Sequence, residues 1–445
     1  MPVFTLSPYQ NIETKSATKK LLISGKFTAT TPRKSSKKAD KNDSLTFDLG
    51  RRYGLILSNY LWLVWVFGIP IYYSLAYEII RYRKVIIKKT FVPINPKRMI
   101  FQITTIGNMQ IVQESIDNIN RICKEVGYNN YRIDVVSEVN ETFKAAFTTT
   151  VPPNYSTVNH AKYKARALQY AIEQREKSGE NTDDTWIYHL DDESMITKQG
   201  LLSILDHADN NREPIAEGLI TYPNKINFGS KLVKYLDAVR PTFCYTCCAM
   251  LRSQRKPDWL HGSNLLLRAD IEKSIGWDFS ETCAEDSLFG YEAYKKHGRI
   301  FGWHGGVLEE QSPFTFHDFI KQRQRWIKGT FENLGRMGLS EKVKTTYRLT
   351  SWFLGSVSFF TLVPSLLIKQ SYPPFLVPFF VLDTIILLSI YQIGLEMNFS
   401  KVGKKQRIFE HIKILVVSPI LWFLEAIPMV LYFFRKATKF YVVKK

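Results

Sequence analysis

Three groups of side chains in this 445-residue chain could do chemistry. The first is Asp191-Asp192-Glu193, which closes the apolar run from Trp186 to Leu190. Such a run reads as a buried central strand. Carboxylates at its end crowd negative charge at a sheet edge, where they repel one another unless a cation sits among them. In open α/β sheets ligands bind outside the carboxyl ends of the strands. The triplet is therefore a candidate site for a hard divalent metal held together with phosphates, against the plainer alternative of a solvated acidic turn. The second group is Ala284-Glu285-Asp286, just ahead of a helical run from Ser287 to Lys296. A carboxylate there could take the proton of a hydroxyl as it attacks, or it could simply cap the helix. The third is Gln322-Arg323-Gln324-Arg325-Trp326, in a helical pattern that starts near Phe316. Positions three and four apart share a helix face, which groups Gln322, Arg325 and Trp326. Arginine beside glutamine suits a pyrophosphate through its forked donors, and the tryptophan offers a flat apolar face of the kind sugar rings stack on. An amphipathic helix at a membrane surface gives the same pattern, and the two readings are compatible. A fourth stretch, His261-Gly262-Ser263-Asn264, places a glycine where an acceptor could approach the backbone closely, or marks an ordinary turn.

The elements that must position these groups alternate. Met99–Thr104, Tyr131–Val136 and Trp186–Leu190 read as strands, and Met109–Val126 and Ala161–Gln174 as helices. Strand–helix alternation over residues 97–335 argues an α/β domain with a mostly parallel sheet and covering helices. No internal repeat interrupts it.

Around that domain the composition changes. Leu55–Ile80 is nearly uncharged and carries Trp62, Trp65, Tyr72 and Tyr73, so residues 54–81 are expected to form one transmembrane helix. Three more apolar runs, Tyr347–Ile368, Phe375–Leu395 and Ile412–Phe434, make residues 345–435 a C-terminal membrane region. Pro419, Glu425 and Pro428 leave open a break or a re-entrant turn in the last run, and a buried Glu425 calls for a partner. Residues 1–53 read as a basic, disordered tail, and 436–445 as a short C-terminal tail. The net charge of +19 sits in the tail and between the apolar runs. That distribution fits anionic lipid head groups rather than nucleic acid, for which no motif is present. The basic loop around Lys401, Lys404, Lys405 and Arg407 places itself, and with it the 97–335 domain, on the cytosolic side of a multi-pass protein. The five cysteines form no disulfide framework. Cys244, Cys247 and Cys248 lack the second pair a zinc site needs, so reduced thiols are expected.

The order of the motifs resembles the processive-type family 2 glycosyltransferases, which include the cellulose, chitin and hyaluronan synthases. The resemblance is closer to the Egghead-type β-1,4-mannosyltransferases. It is carried by Lys164-Ala165-Arg166-Ala167-Leu168-Gln169-Tyr170, His189–Glu193, Gly218–Tyr222, Ala284–Asp286, Ser312–Thr315, Gln322–Trp326 and Lys439–Val443, and it covers roughly residues 97–445. It implies a GT-A fold and inverting sugar transfer from a nucleotide diphosphate sugar with Mg²⁺ or Mn²⁺. For the Egghead type it implies mannose moved from GDP-mannose onto a glucosyl lipid. Position by position, Asp191 and Glu193 would hold the metal, with Asp191 and Asp192 at the nucleotide diphosphate. Asp286 would be the base, with Glu285 beside it. Gln322 and Arg325 would grip the pyrophosphate, and Trp326, Gly262 and Ser263 the acceptor. Lys164 and Thr104 would contact the nucleotide. Glu138 stands where the family usually has an aspartate near the base and ribose, and Gln169 where it has an asparagine.

Two other readings follow from the same residues. One is a processive polysaccharide synthase using a UDP-sugar. Polymer export needs a sealed channel, for which four apolar segments give little material, whereas a lipid acceptor needs only a groove at the membrane surface. The other is a non-catalytic membrane scaffold, which the presence of every acidic and Gln-x-x-Arg-Trp position opposes.

Overall fold

The computed structural model describes residues 62–93, 96–210, 212–223, 230–367, 373–399 and 403–434, with side chains up to residue 355 in the helix that ends at Leu367. The N-terminal tail and residues 436–445 lie outside the described residues.

Eight strands form one sheet: β1 (Arg98–Thr105), β2 (Tyr131–Ser137), β3 (Phe147–Thr150), β4 (Thr185–Asp191), β5 (Met195–Ile196), β6 (Ile215–Thr221), β7 (Leu265–Arg268) and β8 (Phe301–Glu309). Their spatial order is β3-β2-β1-β4-β7-β6-β8-β5. β3, β2, β1 and β4 run parallel, and so do β6 and β8. β7 is inserted antiparallel between β4 and β6, and β5 pairs antiparallel with β8. The α/β class and the mostly parallel sheet expected from the sequence are therefore the ones adopted. The insertion of β7 has a consequence for the site. Because β7 runs against its neighbours, it begins at the edge where β4, β6 and β8 end, so the loop before it lies there too.

The helices are α1 (Leu63–Arg81), α2 (Met109–Val126), α3 (Tyr163–Lys177), α4 (Lys198–Asp209), α5 (Lys231–Leu236), α6 (Arg240–Arg252), α7 (Ala269–Ile275), α8 (Glu285–His297), α9 (Phe316–Leu334), α10 (Leu339–Leu367), α11 (Val377–Asn398) and α12 (Lys404–Phe434). Local signals explain several ends. Thr197 and Thr315 cap α4 and α9 by accepting from Gly200 N (2.9 Å) and Asp318 N (3.1 Å). Gly127 ends α2 with φ +79°, a conformation open to glycine. α2 and α4 cover one face of the sheet, where Phe101, Ile116, Ile119, Trp186, Tyr188, Leu201 and Leu205 form a single buried cluster.

Among the described residues, three helices are long and apolar enough to cross a membrane: Leu63–Arg81, Pro374–Asn398 and Lys404–Phe434. The run Tyr347–Ile368 overlaps α10 up to Leu367, and the side chains of α10 are described only as far as Gly355. The last run is one helix. It passes through both Pro419 and Pro428 without a break, where the sequence had left a broken segment open. Each proline removes one N–H from the ladder, and neighbouring helices can offset that loss. α1, α11 and α12 share a buried cluster with α5 and α9 that includes Trp65, Leu75, Leu236, Phe319, Leu387 and Trp422. The long apolar helices thus pack directly on the helices beside the sheet. At Gly394 a Cβ would lie 1.8 Å from the Ala238 carbonyl oxygen, so only glycine permits that approach.

Candidate active site

The turn after β4 explains why distant carboxylates meet. Ser194 Oγ accepts the Asp191 N–H at 3.1 Å, which curls the chain, and β5 then pairs Met195 with Glu309. The turn therefore crosses the sheet edge from β4 to β8. Glu310 follows β8, and its N–H is held by the Thr221 carbonyl at the end of β6 at 2.8 Å. As a result Asp191, Glu193 and Glu310 each offer an oxygen within 4.8 Å of the others. Glu193 and Glu310 are buried and Asp191 is partly open. The donor set is three carboxylates, with no thiol or imidazole, which suits a hard cation such as Mg²⁺ or Mn²⁺.

A cation of the protein's own also reaches this cluster. Lys164, near the start of α3, donates from Nζ to Asp191 Oδ1 (2.5 Å) and to the Gly262 carbonyl (2.9 Å). Burial opposes its charge, but Asp191, Glu285 and Asp286 outweigh that and raise its pKa. Gly262 sits in the loop before β7. A Cβ there would stand 3.2 Å from Asp286 Oδ2 and 3.3 Å from Lys164 Nζ, so the glycine keeps that space open. Lys164, Asp191, Gly262 and Asp286 thus share one small volume. Burial first, and the Glu285 charge next, push the Asp286 carboxyl above the usual carboxylate range, while Lys164 and the Ser287 N–H pull it back. Ser287 N donates to Asp286 Oδ1 at 2.7 Å, leaving Oδ2 on the Gly262 side.

The approach to Asp286 is clamped by α9. Cys283 N donates to Glu332 (3.0 Å), Asn333 Nδ2 to the Ala284 carbonyl (2.9 Å), and Thr282 Oγ1 to Asn333 Oδ1 (2.9 Å). Gly329 on the same helix lies against Cys283 and Ala284. Arg325 lies one helical turn before Gly329 on the same helix. Gln322 is buried, and its amide oxygen accepts from Arg323 Nη1 at 2.7 Å. Trp326 is half-buried and lies 4.4 Å from the Arg323 guanidinium carbon and 5.0 Å from that of Arg240. Arg240 in turn stacks on Tyr222, just after β6, at 4.3 Å.

The remaining expected residues fall at the same sheet edge. Thr104 on β1 stands opposite Asp191 in register, with a buried hydroxyl that has no hydrogen-bond partner. Asp192 holds its turn through a carbonyl that accepts from Ser115 Oγ at 2.8 Å. Glu138, just after β2, pairs with Arg166 on α3. Arg166 also donates to the carbonyls of Tyr155 (3.0 Å) and Pro152 (2.6 Å). Ser263 is buried, and its hydroxyl donates to Glu310, which ties it to the carboxylate cluster. Gln169 accepts the Trp277 N–H at 2.8 Å and so fastens α3 to the segment ahead of α8.

Sequence reasoning passed over Glu310, Arg166, Arg240, Glu332 and Asn333. It also passed over Glu217, a buried carboxyl raised well above its usual range by burial, which accepts the His261 N–H ahead of Gly262. Glu310 carried only a partial signal: Phe301–Leu308 is closed by Glu309-Glu310 as β4 is closed by its acidic triplet, but three glycines and His304 interrupt its apolar pattern.

A sequence profile of glycosyl transferase family group 2 matches residues 186–434. Two similar proteins are β-1,4-mannosyltransferases. That of Caenorhabditis elegans is 33% identical over 242 residues, which is 52% of this chain and 51% of the relative. That of Drosophila melanogaster is 32% identical over 219 residues, 46% of each. The chain spans about half the length of the curated relatives it matches. Among solved structures, a mannosyltransferase from Pyrobaculum calidifontis in complex with GDP-Man and Mn²⁺ superposes with a TM-score of 0.47 at 12% identity, over 85% of this chain and all of that one.

Proposed function

The chain belongs to glycosyl transferase family group 2, and from that premise we propose that it moves one mannose from GDP-mannose, with inversion, onto a membrane glycolipid such as a glucosyl lipid, forming a β-1,4 linkage. The observation that carries this reading is the convergence of Asp191, Glu193 and Glu310 within 4.8 Å, with Lys164 bound to Asp191 and Asp286 beside Gly262. The sugar and the linkage are supported by the names of the two relatives. GDP-mannose as donor rests on the resemblance given above. The long apolar helices packed on α5 and α9 support an acceptor that reaches the site from a bilayer, and the cytosolic placement of the domain rests on the basic residues around Lys404, Lys405 and Arg407.

In this reading Asp191, Glu193 and Glu310 hold Mg²⁺ or Mn²⁺, which when bound offsets charge on the departing diphosphate. Lys164, Gln322 and Arg325 grip the diphosphate, Thr104 and Glu138 lie toward the nucleoside, and Trp326 and the Gly262 loop seat the acceptor sugar. Asp286 accepts the proton of the acceptor hydroxyl as its oxygen forms a bond to the anomeric carbon. The bond from that carbon to the phosphate oxygen breaks on the opposite face, and GDP leaves. A raised pKa makes Asp286 a stronger base than a solvated carboxylate, as a hydroxyl proton requires.

The test uses the full chain in nanodiscs with Mn²⁺ or Mg²⁺ and a panel of nucleotide sugars, with and without a glucosyl lipid. Diphosphate release and product mass are measured. GDP release with the lipid gaining a single hexose is expected, and Asp286→Asn should lose transfer by about 10²–10⁴-fold while still binding GDP. Release from a UDP-sugar with a ladder of product masses would replace this reading with a polymer synthase.

A further inference from the structure

Four charged side chains are gathered where α12 meets the helices beside the sheet, and the mechanism above uses none of them. Arg323 on α9 donates from Nη2 to Asp237 at 2.7 Å and lies 3.4 Å from Glu425 on α12. Asp237 is fully buried between α5 and α6, and Arg240 approaches its other oxygen at 3.8 Å. Two guanidiniums thus face two carboxylates, with Arg323 only 2% exposed. Removing one member of such a set leaves an uncompensated buried charge. The same Arg323 makes two contacts toward the site. Its Nη1 fixes the Gln322 amide oxygen at 2.7 Å, and its guanidinium carbon lies 4.4 Å from the Trp326 ring. Arg240 touches Trp326 from the Asp237 end of the set and stacks on Tyr222, whose N–H is held by Asn398 of α11 at 2.8 Å.

We infer that Glu425, on a membrane-length helix, is a positioning residue for the acceptor side of the site: it anchors Arg323, and through Arg323 it sets the Trp326 ring. This rests on the reading of Trp326 as an acceptor platform. The carboxylate cluster, Lys164 and Asp286 are held by other elements, so of the donor-side groups only Gln322 touches this set, and donor handling depends on Glu425 far less than acceptor seating does. A residue on a membrane-length helix thus tunes how the acceptor is seated, and a shift of about 1 Å in a seating group is enough to cost up to about 100-fold in rate.

The experiment compares the full chain in nanodiscs with Glu425→Gln, Glu425→Asp and the apolar pair Arg323→Met with Glu425→Leu. Two rates are read for each: transfer to the glucosyl lipid, and slow GDP release from GDP-mannose without acceptor. Glu425→Gln should keep acceptor-free release within about twofold of the parent, while its transfer efficiency falls about tenfold or more, chiefly through acceptor KM. Glu425→Asp should recover part of that loss. The apolar pair removes the charge imbalance but also the anchor, so it should fold and still transfer poorly. Unchanged acceptor KM and kcat in Glu425→Gln, equal loss of both rates, or full transfer by the apolar pair would each overturn the inference. Failure of the parent itself to use GDP-mannose and the glucosyl lipid would count against the proposed function instead. The same variants are then compared on whatever donor and acceptor the parent does use.

Discussion

Replacing Gly329 by alanine tests whether α9 sets the position of the proposed base. A Cβ at residue 329 would lie 2.6 Å from both Ala284 Cβ and Ala284 N, and 2.7 Å from the Cys283 carbonyl carbon. Ordinary contact begins near 3.4 Å, so the gap between α9 and the 283–284 backbone must open by about 0.8 Å. The backbone cannot slide freely to make that room. It is tied to α9 through Glu332 and Asn333 by three hydrogen bonds of 2.9–3.0 Å. Overpacking of this kind costs about 1–3 kcal/mol, which a folded chain can bear. Its chemical cost is larger, because Glu285 and Asp286 follow Ala284 directly and move with it. With a base displaced by most of an ångström, kcat should fall by about 10–100-fold. Nucleotide binding should change by less than about threefold, since Asp191, Glu193, Glu310 and Lys164 sit on other elements, and Gln322 and Arg325 lie one to two turns from Gly329 on a helix held by its own packing while the 283–284 backbone yields. The assay is steady-state transfer together with GDP titration. Gly338→Ala serves as control, since a Cβ there meets nothing within 4 Å. A kcat within twofold of the parent, or a parallel collapse of GDP affinity, would refute the argument that Gly329 acts through Asp286.

Three further outcomes are expected. Loss of a group that merely supports a metal ligand costs roughly 10–100-fold in affinity, so Glu310→Gln should raise the Mn²⁺ concentration for half-maximal turnover by at least about tenfold, read by metal titration after chelator treatment. Asp286 is raised by burial and by Glu285, so its protonated, inactive form persists above the ordinary carboxylate range. Activity should therefore be lost as pH falls through that raised value, and Lys164→Met, which removes a charge that lowers it, should move the acid limb of the rate profile to higher pH. Arg175 and Glu272 form a pair at 2.5 Å, 2% and 0% exposed, beneath β4. Burial alone would raise Glu272, but Arg175, with His189 and Trp277, holds it at about 2. Arg175→Met strands that carboxylate and should destabilise the domain by about 3–5 kcal/mol, seen as a lowered thermal midpoint, while Arg175→Met with Glu272→Leu should recover much of it.

What could be read from the sequence was local. β1, β2 and β4 and helix α2 fall within a residue or two of where apolar alternation and helical spacing placed them, because each buries its pattern against immediate neighbours. The acidic end of β4 was readable for the same reason. Glu310 was not, because three glycines and His304 interrupt the apolar pattern of Phe301–Leu308, and because its membership in the cluster depends on β5 crossing the sheet edge to pair with β8. That pairing joins segments more than 100 residues apart through two residues, too short a strand for any periodicity to show. The antiparallel β7 was hidden in a similar way: Leu265–Leu267 is apolar in either direction, and only its place between β4 and β6 brings Gly262 and Ser263 to the site. Glu425 shows the limit from the other side. Burial in an apolar helix required a partner, yet nothing in the spacing of the sequence names it. The packing of α12 on α9 selects Arg323.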